Sequence, residues 1–174
     1  MKFTCPQNKF LEVILTVQKA VSSRTNVPIL QGILIETKKD VLKFVGTDLE
    51  LSIESYIEAN ILQEGSIVIP SKLLTEIVRK LPDSEMEVSV LDNNSVKISC
   101  LNSIVTIQGF APDEYPALPD IDENQPIEIS MLLLTDMIRE TIFAVAVDET
   151  RPILTGALFE LNDKDVAMVC LDGY

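Results

Sequence analysis

The chain is 174 residues long and carries 14 Lys plus Arg against 27 Asp plus Glu, a formal charge of −13, with 47% hydrophobic residues. This is ordinary globular composition, which excludes a disordered chain, and the length holds one domain or one domain and part of a second. No apolar run approaches the ~18 residues of a membrane span, and the start Met1-Lys2-Phe3-Thr4-Cys5-Pro6 has no apolar signal core, so a cytoplasmic protein without a membrane partner is expected.

Phe10, Val13, Ile14, Val17, Ala20 and Val21 follow the spacing of an amphipathic helix. Short β-rich segments come next: Gly32–Thr37, Leu42–Thr47, Leu51–Ala59 and Ser66–Ile69, with Lys39-Asp40 as a turn. Ser71 is expected to cap a second helix whose apolar face is Leu73, Leu74, Ile77, Val78 and Leu81, stopped by Pro82. Strands are predicted at Glu87–Leu91, Ser95–Cys100 and Ile104–Phe110, the first pair joined by the turn Asp92-Asn93-Asn94. Ala111–Pro126 holds four prolines and five acids, the composition of a semi-rigid linker. A third helix, opened by Ser130, runs from Met131 to about Val147. Several strands per helix in hairpin order mean an α+β fold with antiparallel sheet. The domains are read as 1–120, a linker at 121–126, and 127–174.

The chain also repeats itself. At an offset of 124, residues 3–50 lie on 127–174 without a gap and with 11 identities in 48 positions, against roughly 3 by chance. Pro28-Ile29-Leu30 falls on Pro152-Ile153-Leu154, Gly32 on Gly156, Leu34 on Leu158, Glu36 on Glu160 and Asp48 on Asp172. A duplicated domain accounts for this, and a full second copy needs about 124 residues, so the chain reads as cut short inside it.

The absences narrow the chemistry. There is no His, no GxxxxGK[ST] and no GxGxxG, and Cys5, Cys100 and Cys170 form no CxxC. Ser-His and Cys-His catalysis, phosphate-cradling loops, a disulfide framework and a zinc site are therefore not expected. No catalytic residue, metal or cofactor is assigned. A carboxylate pair such as Asp48 and Asp172 is a remaining hydrolase reading. The repeat counts against it, because it places the two in separate domains rather than ~5–10 Å apart.

Charge is unevenly spread. Segment 7–24 has Lys9, Lys19 and Arg24 against Glu12, a balance of +2; segment 71–81 has Lys72, Arg79 and Lys80 against Glu76, also +2. The remainder is 8 basic and 25 acidic residues, or −17. Lys72 and Arg79 fall opposite Leu73/Ile77/Leu81 and point outward together. Simple solvation of amphipathic helices explains such lysines equally well. The functional alternative is a local basic face for phosphate inside a protein that otherwise repels DNA. No aromatic side chain interleaves these charges, so single-strand stacking is disfavoured and any DNA contact is non-specific and to the backbone.

Together, Met1-Lys2-Phe3, Arg24-Thr25-Asn26-Val27-Pro28-Ile29-Leu30, Gly46-Thr47-Asp48-Leu49-Glu50, Ile69-Pro70-Ser71-Lys72 and Phe110-Ala111-Pro112-Asp113-Glu114-Tyr115-Pro116 resemble the bacterial DNA polymerase III beta subunit family, the sliding clamps. The resemblance runs in order along the whole chain. It implies domains built from paired βαβββ-like halves, helices lining a central hole and sheets outside, three domains per subunit and two subunits closing head to tail around duplex DNA. The implied partners are double-stranded DNA, DNA polymerase III, the clamp loader, other proteins with clamp-binding motifs, and a second subunit. Carried over by motif, Arg24, Lys72 and Arg79 would contact DNA, with Lys19 and Lys80 beside them and Arg151 as a weaker candidate next to Asp148 and Glu149. Leu154, Leu171, Gly173 and Tyr174 match the second-domain wall of the family's partner-peptide pocket, with core packing the competing reading for the two leucines. Val105 and Ile107 would be the apolar part of the dimer interface, and ordinary core is the competing reading for both. A shortened clamp relative acting as an interaction module or decoy is the alternative function.

Overall fold

A computed structural model describes residues 1–22, 25–118, 127–148, 150–162 and 165–173. Arg24, the linker at 121–126, Glu149 and Tyr174 lie outside the described residues. The chain divides into two compact units, Met1–Pro119 and Asp120–Tyr174.

In the first unit, β1 (Lys2–Pro6) leads into α1 (Gln7–Val17) and a 3₁₀ turn at Gln18–Ala20. After a second 3₁₀ turn at Pro28–Gln31 come β2 (Gly32–Lys38), β3 (Val41–Thr47), β4 (Ser52–Glu58), β5 (Asn60–Gln63) and β6 (Ser66–Pro70). The unit continues with α2 (Ser71–Lys80), β7 (Glu85–Val90), β8 (Ser95–Cys100) and β9 (Ser103–Gln108). Both sheets are antiparallel, with strand orders β5-β1-β7-β8-β9 and β4-β3-β2-β6. Two βαβββ runs, β1α1β2β3β4 and β6α2β7β8β9, thus exchange their first strands, β1 pairing with β7 and β6 with β2.

That exchange welds the halves around one core. Phe3 of β1, Phe10 of α1 and Phe44 of β3 are fully buried, with ring centroids 6.2 and 5.2 Å apart in succession. Each such side chain contributes roughly 1.5–3 kcal/mol by burial. The predicted stripe on α1 is the observed one: Phe10, Val13, Ile14, Val17 and Ala20 are buried. Helix and sheet meet closely where Gly46 faces the end of α1. A Cβ there would fall 2.5 Å from the carbonyl oxygen of Val17.

Several local expectations are corrected. Pro70 rather than Ser71 is the N-cap of α2, because Ser71 already occupies the first helical position and is buried. The buried face is Ser71, Leu74, Thr75 and Val78, while Leu73 is exposed. Strands β1 and β5 add to the strands expected from the sequence. Val105 and Ile107 point inward: Ile107 is buried and Val105 packs against the core, so the outward residues of β9 are Ile104, Thr106 and Gln108.

The second unit contains α3 (Met131–Thr141), 3₁₀ turns at Ile142–Ala144 and Pro152–Thr155, and the hairpin β10 (Leu158–Leu161) with β11 (Val166–Val169). Ser130 caps α3, its hydroxyl accepting the N–H of Leu133, but the helix ends at Thr141 and its 3₁₀ extension at Ala144, short of Val147. The repeat holds in three dimensions. Helix α3 and both 3₁₀ turns lie 124 residues after their counterparts in the first unit. The strand register repeats as well, with Leu34↔Val45 matched by Leu158↔Val169. One difference is informative. At Gly32 a Cβ would strike Val68 of β6 at 2.4 Å, whereas no described residue lies within 4 Å of the equivalent position at Gly156.

Candidate nucleic-acid interface

Helices α1 and α2 pack on each other and are cross-linked by two polar bonds. The buried Gln7 amide donates to the carbonyl of Val78 at 2.7 Å, and the Thr75 hydroxyl donates to Oε1 of Gln18 at 3.0 Å. A buried amide with its partner satisfied fixes the pair more tightly than apolar contact alone. The outer faces of the two helices are therefore held in one arrangement.

Lys9 and Lys19 are exposed on the first segment, and Lys72, Arg79 and Lys80 on the second. Lys72 and Arg79, two turns apart, share one side of α2 with Glu76 between them. Among the described residues, Lys19, Lys72, Arg79 and Lys80 enter no salt bridge. Lys43 on β3, by contrast, sits 2.8 Å from Glu54 and 4.0 Å from Glu36. Arg79 and Lys80 also occupy the last turn of α2, where cations favour the helix dipole. On α3, Arg139 is paired with Asp136 at 3.2 Å, so the repeat of the helix does not repeat its free cations.

In the second unit, Arg151, Leu154 and Gly173 come together around a small cleft of about 190 Å³, with Asp148 and Asp172 also on its wall. Gly173 adopts φ +88°, and a Cβ there would meet Leu154 at 3.1 Å. Leu171 is half exposed and lies off this cleft. Arg151 thus stands beside the pocket residues rather than on a basic helix.

The carboxylate-pair reading fares poorly. Asp48 and Asp172 belong to different units. The Asp48 carboxylate accepts the N–H of Leu51 at 2.7 Å and of Glu50 at 3.0 Å, and these bonds hold its pKa below the usual value. That is a turn-building aspartate, not a proton donor with a raised pKa. No cluster of three metal-binding side chains occurs among the described residues.

Residues 1–119 match the family model for the DNA polymerase III beta subunit, N-terminal domain. The chain belongs to the DNA polymerase III beta subunit family. The beta sliding clamps of Bacillus subtilis and Halalkalibacterium halodurans are 39% and 38% identical to it over its whole length. The chain spans about half the length of these curated relatives, 48% of each. The crystal structure of the Bacillus subtilis sliding clamp superposes with a TM-score of 0.94, covering 99% of this chain and 47% of that one. The beta subunit from Streptococcus pyogenes gives 0.93 at 30% identity, over 99% of this chain and 47% of its own. The α+β sliding-clamp fold follows from these matches, and the two exchanged βαβββ runs are its first domain. No described helix of this clamp-family chain is long and apolar enough to cross a membrane.

Proposed function

We propose that this chain supplies the first clamp domain and the beginning of the second in a DNA polymerase processivity factor. The assembled ring encircles duplex DNA and tethers DNA polymerase III and other proteins bearing clamp-binding motifs, after being opened by a clamp loader. It works in the cytoplasm, performs no catalysis and needs no cofactor. The observation that carries this reading is the concentration of positive charge on two segments, +2 over 7–24 and +2 over 71–81, against −17 on the remainder of the chain. Lys19, Lys72, Arg79 and Lys80, with Arg24, would face DNA phosphates without reading bases. Arg151 belongs with Leu154 and Gly173 in the partner-peptide wall as much as with the DNA face, and Leu171 and Tyr174 join that wall by the family motif. Topological tethering explains how a protein of net charge −13 handles DNA: the ring needs only weak, mobile contacts.

Closure with a second subunit would use β9. Among the described strands β9 pairs only with β8, so its outer edge keeps free backbone donors and acceptors beside exposed Leu101 and Ile104. Val105 and Ile107 support that edge from within.

The test is duplex binding against salt. This chain should bind weakly, with affinity falling steeply as salt rises, and neutralising Arg24, Lys72 and Arg79 together should flatten that dependence by a log–log slope of up to about 3. An unchanged slope would remove the basic-face assignment.

A further inference from the structure

A cleft of about 440 Å³ opens where the end of α1 meets the start of α2. Lys19 and Lys72 flank it, with Gln18, Gln31, Pro70 and Ser71 on its wall and no carboxylate among the described lining residues. In a chain of net charge −13 that is a local inversion of sign.

The start of α2 beside the cleft holds donors without partners among the described residues. Pro70 is the N-cap of α2 and has no side chain with which to cap, and the first turn carries no acidic residue. The leading N–H groups of the ten-residue helix therefore keep their positive end unopposed. Ser71 is only 4% exposed, yet its hydroxyl has no hydrogen-bond partner among the described residues. No described side-chain polar atom is both sealed and unpaired. The Ser71 hydroxyl therefore keeps some exposed surface, and Ser71 is one of the residues lining the cleft. Gln18 is oriented as well: its Oε1 is taken by Thr75, leaving its amide N–H groups as the end free to donate.

We propose that this cleft is a seat for one phosphate group, bound by the Ser71 hydroxyl and the first N–H groups of α2 and neutralised by Lys19 and Lys72. Helix N-termini with convergent N–H donors suit a phosphate oxygen, and two flexible lysines supply charge without demanding one geometry. The inference rests on the duplex-DNA reading for the source of that phosphate: a backbone phosphodiester held here would give the sliding surface a localised contact rather than a diffuse field. A free phosphate would be held by the same chemistry.

Amide NMR of this chain during titration with inorganic phosphate, and separately with a short DNA duplex, tests the seat. The amides of Ser71, Lys72 and Leu73 should shift saturably with phosphate, and Ser71→Ala should weaken that binding about three- to tenfold. The same amides shifting with duplex identifies the backbone as the source. Shifts with inorganic phosphate alone keep the seat, assign it to free phosphate and count against the duplex reading. If duplex moves only Arg79 and Lys80 and neither ligand moves 71–73, the seat is wrong and the duplex reading stands. No shift with either ligand overturns both. Arg79→Gln separates the two further: it should weaken duplex binding and leave the phosphate shifts at 71–73 in place.

Discussion

Tyr115 donates its hydroxyl to the main-chain carbonyl of Val45, 3.0 Å away and 70 residues earlier in the chain. The ring is buried with Ile29, Leu30, Val45 and Val68 in a small second core, so the segment leaving the first unit is anchored to its sheet. Burial pushes the Tyr115 hydroxyl up to about 12 from its ordinary 10, despite backbone hydrogen bonds acting the other way. A raised pKa favours the protonated group in the folded state, so its stabilisation is complete below pH 10 and is lost between pH 10 and 12. That rise corresponds to about 2–3 kcal/mol. Urea unfolding followed from pH 9 to 12 should show the decline, and Tyr115→Phe should remove this part of it while costing about 1 kcal/mol at pH 7. Equal slopes for the two proteins would show that Tyr115 does not titrate in this window.

Leu49 has φ +81°, and its repeat counterpart Gly173 has φ +88°. The left-handed region costs a non-glycine residue roughly 1–2 kcal/mol, and Leu49 is 66% exposed, so little packing offsets the strain. Glycine loses about 0.5–1 kcal/mol through unfolded-state entropy. Leu49→Gly should therefore stabilise the first unit by about 0.5–1 kcal/mol, read as a rise in the urea midpoint. A fall of similar size would mean that Leu49 packs against something in solution.

What could be read from the chain beforehand follows from which forces act locally. Helix α1 and the 124-residue repeat were legible because a 3.6-residue apolar period and a gapless register are properties of the sequence itself. Strand β5 was not, since Asn60–Gln63 is a mostly exposed strand whose only half-buried residue is Ile61. Strand β1 was hidden by its brevity and by Pro6, its apolar signal reduced to Phe3 and Cys5. The capping rule pointed to Ser71 because Ser is a common cap, but Pro70 already ends β6 there and turns the chain into the helix. The basic character of α1 and α2 was legible. The cleft that joins Lys19 to Lys72 was not, because only tertiary packing through Gln7 and Thr75 brings those segments together.

The three cysteines should separate by reactivity. Cys5 is buried, and burial followed by the nearby Glu85 charge raises its thiol to about 12. Cys100 is buried too, its pKa raised by burial and then by Asp83, and its Sγ lies 3.4 Å from the carbonyl of Pro82. Cys170 is only partly covered. Thiolate is the reacting form, so a thiol reagent at neutral pH should titrate Cys170 first and reach Cys5 and Cys100 only as the first unit unfolds. Peptide mapping that finds Cys5 labelled alongside Cys170 in the native protein would contradict this packing.

The two faces of β9 give the remaining prediction. Ile107 is 7% exposed and belongs to the core, whereas Ile104 is 63% exposed at the sheet edge. Ile107→Ala removes buried methyl groups and leaves a cavity, at a cost of about 2–4 kcal/mol. Ile104→Ser should change stability by no more than about 0.5 kcal/mol, since it exchanges one exposed side chain for another. If β9 is the closing edge, Ile104→Ser introduced into a family-length chain that contains these residues should weaken ring closure without destabilising the subunit, seen as dissociation at higher protein concentration in sedimentation. Ile107→Ala would lower stability and closure together. A loss of stability from Ile104→Ser comparable to that from Ile107→Ala would mean that the outward face of β9 is covered within a single subunit, and the closing edge would then have to be sought elsewhere.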